Sequence, residues 1–436
     1  MSTIIDLIGP AGQVPAEGVI VALDVAITGM GVVSPLGCTP TELVDRLIAG
    51  DLGIRETPWT AGDPDRFEFW APVVDFEPPD WMASKLDGID PFARHAGGAA
   101  TSALADAGLA TLDPLRTGIV VGSAKTGTQT LERAQFDVDR QGRSAAGPKL
   151  MIMVWPNMAA AQIAINWQIH GPVLTLSTAC ASSLDAIGTA ARMIAAGQID
   201  VALAGGAEGG LAHGVGDDGF VPASAYSRYR YGMGAAVTDP RRACLPFDVD
   251  RGGMVMGEGS GMFVLESAEH AARRGARVHA WVQGWGTSCE AYHPSTPNPS
   301  GEWERLAMEL AAGEAGVKPG QIDMLAAHAT GTPKGDTAEI AAINTFFAAA
   351  GPSVMSVKGT LGHPAGAAGA LALAAAVEGM HRGLVPPTGG TTTPEPGIDF
   401  DLVLGEPRRR DIGWIQANAF GFGGQNASIV VSAERQ

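Results

Sequence analysis

Short apolar runs, each long enough for one strand, recur along the chain with helix-length segments between them. They begin at Asp24 to Gly29 and return at 118–122, 173–176, 201–204, 262–265, 278–282, 324–327 and 354–357. Such alternation predicts an α/β fold with largely parallel strands. Two helices stand apart from the others. One follows Cys180 and carries Leu184, Ile187, Ala191 and Ile194 at helical spacing; the second follows His363 and is nearly all Ala, Leu and Val through Val377. A helix apolar on every side is a buried one. Similar strand-to-helix units in both halves predict a duplication, with an N-terminal extension over 1–23, a first half over 24–275 and a second over 276–436.

Composition supports a large core, because 46% of the 436 residues are hydrophobic and only 17% charged. A chain of this length exceeds what one core usually holds, so two packed halves fit. The 59 glycines allow backbone layers to approach closely. A formal charge of -17 argues against nucleic acid as a partner. The four cysteines, at 38, 180, 244 and 289, are dispersed without CxxC pairing, which suggests neither a disulfide framework nor a zinc knuckle and fits a reducing compartment. The N-terminus lacks the pattern of a signal peptide, and no apolar run approaches the roughly 20 residues of a membrane span. The expectation is a cytoplasmic protein without a membrane.

The chemistry starts at Cys180, in Ser177-Thr-Ala-Cys-Ala-Ser-Ser183, where an apolar run gives way to a helix. The positive end of that helix is expected to favour thiolate and lower the thiol pKa. Alone, a cysteine there is more often packing than chemistry. Ala327-His-Ala-Thr-Gly-Thr-Pro-Lys-Gly-Asp336 and Ser356-Val-Lys-Gly-Thr-Leu-Gly-His-Pro-Ala-Gly-Ala-Ala-Gly369 change that reading, since each is expected to place a histidine straight after an apolar run. Strand ends of this kind are where open α/β sheets bind ligands.

Cys180, His328, Lys358 and His363 resemble, in order and local spacing, the Cys-His-His triad and lysine of the elongating β-ketoacyl-acyl carrier protein synthases. Phe247-Asp-Val-Asp-Arg-Gly-Gly253, Gly257-Glu-Gly-Ser-Gly261 and Asn418-Ala-Phe-Gly-Phe-Gly-Gly-Gln-Asn426 extend the resemblance from about residue 24 to the C-terminus. It implies the thiolase fold: a duplicated αβαβα layered architecture with two mixed sheets and buried central helices, usually a dimer. It also implies decarboxylative condensation of an acyl group on Cys180 with a malonyl group on a carrier protein. A thiolate suits this reaction as both nucleophile and leaving group. Two neutral imidazoles, His328 and His363, are expected to stabilise the enolate oxygen. The N-H groups of Cys180 and Phe422 are expected to form the oxyanion hole, with the Phe422 side chain as gate and Lys358 organising the site electrostatically. Asp336, Glu339 and Phe420 are expected to stand behind these groups, the two acids orienting His328 or capping a helix start. No metal or resident cofactor is implied, because phosphopantetheine arrives on the acyl carrier protein. A homodimer or a heterodimer of ketosynthase and chain-length factor is expected.

Other readings are weaker. Asp248-Val-Asp250 opens like a calcium loop, but its twelfth position falls on Gly259. Gly29-Met-Gly31 lacks the third glycine of a dinucleotide fingerprint. Cys180, His328 and His363 lack the short spacing of a zinc set. A non-catalytic chain-length-factor-like subunit would be expected to lack the cysteine, and a thiolase to use a second one. The sequence departs from its family at Ala372, where many relatives carry a glutamate that can neutralise the lysine. It departs again over 220–240, where Tyr226, Tyr229 and Tyr231 lie among Arg228 and Arg230. These departures and the extension tilt the reading toward specialised metabolism. The Tyr-rich segment is expected at an interface or pocket mouth. Arg228, Arg230, Arg241, Arg242 and Arg408 to Arg410 are candidates for meeting an acidic carrier protein.

Overall fold

The computed structural model describes residues 23–57, 69–85, 88–211, 218–348 and 351–436. The expected extension, Leu23 apart, lies outside the described residues, as do the side chains of Tyr226, Arg228, Tyr229 and Arg230. In the first half the strands of the main sheet are β1 (Val25–Val33), β2 (Thr117–Gly122), β3 (Val173–Leu176), β4 (Val201–Glu208) and β5 (Gly259–Ser267). In the second they are β6 (Ala280–Cys289), β7 (Met324–Ala326), β8 (Ser353–Met355), β9 (Asp401–Leu402), β10 (Trp414–Phe420) and β11 (Gln425–Ser432).

The strand order is β3-β2-β4-β5-β1-β6-β11-β10-β7-β8-β9. Read outward from its middle, each half repeats one plan. β1 pairs antiparallel with β5, β5 antiparallel with β4, β4 parallel with β2, and β2 parallel with β3. The series β6, β11, β10, β7 and β8 has the same sequence of directions. β9 then extends the second half as a parallel edge. The two mixed sheets join edge to edge where Val25 to Ile27 pair with Ala280 to Val282, so that the eleven strands are continuous.

The expectation of largely parallel strands was only half right. β1 and β5, and likewise β10 and β11, are antiparallel neighbours. Nearly continuous burial of β1 and β5 on both faces produces the long apolar runs usually associated with parallel strands. Apolar content therefore reported burial and not direction.

The helices supply the layers. α1 (Pro91–Asp106) packs on β1 and β5, and α3 (Glu302–Glu314) packs on β6 and β11, giving the outer faces. Between the sheets lie α2 (Ser182–Ala195), against β2 and β4, and α5 (Ala368–His381), against β10 and β5. α5 is buried over almost its whole length, as its apolar sequence predicts. α2 and α5 touch each other, and the Ala370 N-H donates to Ser183 Oγ at 3.0 Å. Among the described residues, no helix is long and apolar enough to cross a membrane.

Glycine permits this contact. A Cβ on Gly206 would lie 2.6 Å from Ser183 Cβ and 2.7 Å from the Gly366 carbonyl oxygen. A Cβ on Gly369 would lie 2.5 Å from Leu184 Cγ. Gly206→Ala is therefore expected to destabilise the fold by about 1–3 kcal/mol through overpacking. Urea unfolding tests this; an unchanged midpoint would show that the layers separate freely.

Candidate active site

Cys180 stands in a single 3-10 turn, Ala179–Ala181, between the end of β3 and the start of α2. The preceding residue, Ala179, has a φ of 50°, a left-handed conformation that costs a non-glycine residue energy. The turn is held from both sides. Ser182 Oγ accepts the Thr178 N-H at 2.9 Å and donates to the Ala179 carbonyl at 2.6 Å. Thr178 Oγ1 donates to Asp185 at 2.5 Å, and Trp285 Nε1 donates to the other oxygen of that carboxyl at 3.2 Å.

His328 follows the end of β7 after one residue, Ala327, so it stands at the strand end as expected. His363 departs from the expectation, because the helical turn Lys358–Leu361 intervenes between β8 and the histidine. Its backbone is fixed by bonds to Val255 (2.7 Å) and from Gly257 (2.9 Å). The result is nonetheless convergence. His363 Nε2 lies 3.0 Å from Cys180 Sγ, and the two imidazole rings meet edge to face with centroids 5.3 Å apart. The sulfur and one nitrogen of each ring all fall within 4.8 Å of one another. Phe420, at the end of β10, packs beside His328 at 5.7 Å.

Lys358 is buried, and its ammonium donates to the His328 carbonyl oxygen. Glu339 and Asp336, on α4 (Pro333–Phe347), act on backbone and not on the imidazole. Glu339 accepts the N-H groups of His328 (2.7 Å) and Ala329 (2.6 Å). Asp336 accepts those of Thr330 (3.0 Å) and Gly331 (3.1 Å), and its other oxygen accepts that of Phe247 (2.7 Å). The two acids thus fix the loop that carries His328.

The electrostatics follow from burial. Desolvation pushes the Cys180 thiol up to about 11, opposed by Lys358, reinforced by Glu208, and opposed again by the Phe422 N-H directed at it. This runs opposite to the lowering expected from the helix start, because burial disfavours the charged thiolate. Burial, then the charge of Lys358, holds His328 and His363 well below the ordinary imidazole range, so both are neutral. Burial also lowers Lys358, with Glu339 the strongest opposing influence. Glu339 is raised by burial to about 7.

A cavity of about 410 Å³ opens over the three converging groups. Phe422 sits at its wall on the turn between β10 and β11 and is 41% exposed. Positive φ at Gly423 (89°) and Gly424 (81°) makes this turn possible. The Tyr-rich segment reaches the same cavity, where Tyr231 forms part of the wall and hydrogen-bonds Ser295. Of the arginines proposed for carrier recognition, Arg242 pairs with Asp250, Arg408 with Asp401 and Arg410 with Asp323, while Arg241 and Arg409 are exposed.

Comparison with known proteins now decides the family. The family model for the N-terminal domain of β-ketoacyl synthase matches residues 22–271, and that for the C-terminal domain matches 279–392. The chain belongs to the β-ketoacyl synthase family. It is 36% identical to 3-oxoacyl-[acyl-carrier-protein] synthase 2 of Rhizobium meliloti (strain 1021), over 93% of this chain and 98% of that one. The synthase 2 of Vibrio cholerae is likewise 36% identical, over 93% of this chain and 98% of its own. Among solved structures, the ishigamide ketosynthase/chain length factor superposes with a TM-score of 0.85 at 32% identity, covering 94% of this chain and 99% of that one. A β-ketoacyl synthase from Burkholderia phymatum STM815 gives the same score at 31% identity, covering 94% of this chain and all of its own. This β-ketoacyl synthase is an acyltransferase of fatty-acid or polyketide chain elongation, with the thiolase-type fold its sequence predicts.

Sequence reasoning missed two buried acids in this synthase. Glu208, at the end of β4, accepts the N-H groups of Ala124 and Lys125 and the Ser123 hydroxyl. Glu304, on α3, lines the cavity. It also missed Lys125, whose charge favours Cys180 thiolate and disfavours protonation of His363. The Ser123-Ala-Lys125 turn directly follows an apolar strand run, the same signal that singled out His328.

Labelling of Cys180 by iodoacetamide is expected to accelerate with pH toward an inflection at about 11. Lys358→Met removes the strongest influence favouring thiolate and moves that inflection upward. A native inflection near or below about 8, the range of an ordinary thiol, or one unmoved by the substitution, would contradict this assignment of charges.

Proposed function

We propose that Cys180 accepts an acyl group from an acyl carrier protein and that His328 and His363 then support its condensation with malonyl-carrier protein. The observation that carries this reading is the 3.0 Å contact between Cys180 Sγ and His363 Nε2, with His328 in the same cavity. The thiol reaches the reactive form by losing its proton as the sulfur attacks the carrier thioester. The leaving carrier thiolate takes up a proton. Malonyl carbon dioxide then departs, and its bonding electrons pass into an enolate. Neutral imidazoles can donate hydrogen bonds to the enolate oxygen, which protonated, mutually repelling ones would do at greater cost. The enolate carbon attacks the Cys180 thioester, the Cys180 and Phe422 N-H groups stabilise the tetrahedral oxyanion, and the Cys180 thiolate leaves. Phe422 is suited to that role because it lines the same cavity as Cys180. Lys358, Asp336 and Glu339 position this machinery, with Phe420 packed behind His328.

The reading requires no resident metal or cofactor, the phosphopantetheine arm being supplied by the carrier. It places the enzyme in the cytoplasm and divides it into halves at 24–275 and 276–436, a division supported by the repeated strand order. The site's partners are the acyl and malonyl forms of the carrier protein. The chain itself pairs with a second copy or a chain-length factor. Edge strand β3 supports this pairing: among the described residues its other side has no neighbouring strand, and Val173 and Leu174 are exposed, as are Ile165, Met151 and Trp155. Unpaired apolar edges of this kind invite a second chain.

Mass spectrometry after incubation with acyl-carrier protein is expected to find one acyl group on Cys180 and none in Cys180→Ala. His328→Ala is expected to lower carbon dioxide release from malonyl-carrier protein by about a hundredfold or more, while acylation of Cys180 persists. Absence of both adduct and carbon dioxide in the native protein, or zinc bound stoichiometrically by the Cys180, His328 and His363 donors, would overturn the reading.

A further inference from the structure

The cavity is not uniformly suited to a hydrocarbon. Glu304 forms part of its wall, is only 2% exposed, and its Oε2 has no hydrogen-bond partner among the described residues. Asn426, another wall residue and also 2% exposed, leaves its Oδ1 without a partner. Glu290 completes this polar corner, with one carboxyl oxygen accepting the Asn298 N-H at 2.7 Å. Buried polar atoms without partners are rare, because leaving them so is costly. Asn426 Oδ1 is an acceptor, a protonated Glu304 carboxyl keeps one acceptor oxygen, and both residues line the cavity that holds Cys180.

We propose that Glu304, with Asn426, forms a hydrogen-bond-accepting subsite that selects thioester substrates bearing an O-H or N-H donor. This rests on the ketosynthase reading and names the chemistry of its substrate. Glu304 lies in the first turn of α3 and is therefore carried by a rigid element. The terminal torsion of a glutamate is soft, so either oxygen can be turned to the cavity without moving the helix. Burial, reinforced by the nearby Glu339, Glu290 and Asp336, keeps its carboxyl protonated well above the ordinary range. In that state it can accept from a neutral donor without needing a counter-ion. A plain alkyl chain offers these atoms nothing. A site built around hydrogen bonds discriminates strongly against a ligand that lacks them.

The donor can come from a hydroxyl on the acyl chain or from an amide of the pantetheine arm, and one experiment separates them. Acylation of Cys180 is followed with butyryl and 3-hydroxybutyryl groups, each carried on pantetheine and on a plain alkyl thiol. The native enzyme is expected to favour the hydroxylated acyl group by about tenfold in kcat/KM, as one buried hydrogen bond allows. Glu304→Ala is expected to abolish that ratio, and Glu304→Gln, which keeps a neutral acceptor, to preserve it. If the alanine variant instead lowers acylation only by pantetheine thioesters, whatever the acyl group, the subsite stands and the arm is its donor. Equal selectivity in the native, Gln and Ala enzymes, both between the acyl groups and between the two thiol carriers, overturns the proposal. A ratio lost equally in both variants, at unchanged melting temperature, also overturns it. Failure of the native enzyme to acylate with any of the four thioesters counts against the ketosynthase reading instead.

Discussion

Everything at the active site depends on the contact between α2 and α5. Each helix begins at the end of a connection that carries chemistry, Cys180 in one case and His363 in the other. Bringing two helix starts together in a core places several backbone N-H groups in a small space where water cannot serve them. The structure answers with side chains: Ser183 takes the Ala370 N-H, and Ser182 takes that of Thr178. Gly206 and Gly369 remove the bulk that would hold the layers apart. The 3.0 Å approach of His363 to Cys180 is thus a consequence of core packing, set by residues that take no part in the chemistry.

The same burial dictates the charge states. Two histidines beside a lysine cannot be cationic at low cost, so burial and Lys358 leave both neutral. The lysine retains a favourable environment because Glu339 lies close and the His328 carbonyl accepts from its ammonium. This bears on Ala372, the position read from the sequence as a departure from the family. Ala372 is buried within α5, and the acid acting most strongly in favour of the Lys358 ammonium here is Glu339, from a different helix. A thiol with a raised pKa is consistent with this economy, since it is ionised by the reaction and need not be held as an anion beforehand.

Much of this was legible in the residues. The all-apolar helix after His363 announced its own burial, and the histidine after Ala327 marked a strand end. The residues that converge, Cys180, His328, Lys358 and His363, were named by their order along the chain. Strand direction was not legible, because β5 is buried on both faces and carries no alternation to read. The β10 and β11 hairpin was hidden for a related reason: its turn drew attention as a motif, and the flanking Trp414–Phe420 and Gln425–Ser432 mix polar residues such as Gln416, Asn418 and Ser428 into buried positions. Those polar groups are satisfied partly by one another, as Ser428 Oγ links Gln416 and Asn418, a pairing that exists only after folding. Glu304 escaped for the opposite reason, since a glutamate in the first turn of a helix reads as an ordinary exposed residue.

The duplication explains how one chain assembles unlike groups at one point. β3 and β8 occupy equivalent places in the two sheets, so the connections bearing Cys180 and His363 are counterparts. β2 and β7 are equivalent as well, which makes the turn bearing Lys125 the counterpart of the loop bearing His328. A buried glutamate serves each of these loops in the same manner. Glu208 accepts the N-H groups of Ala124 and Lys125, and Glu339 accepts those of His328 and Ala329. The two acids come from different elements, a strand and a helix, so the likeness lies in the physical problem. A loop that leaves a parallel strand for a buried site exposes consecutive N-H donors, and a carboxylate with two oxygens satisfies a consecutive pair. With the backbones fixed alike, the halves are free to differ at the side chains, presenting a nucleophile on one side and hydrogen-bonding imidazoles on the other.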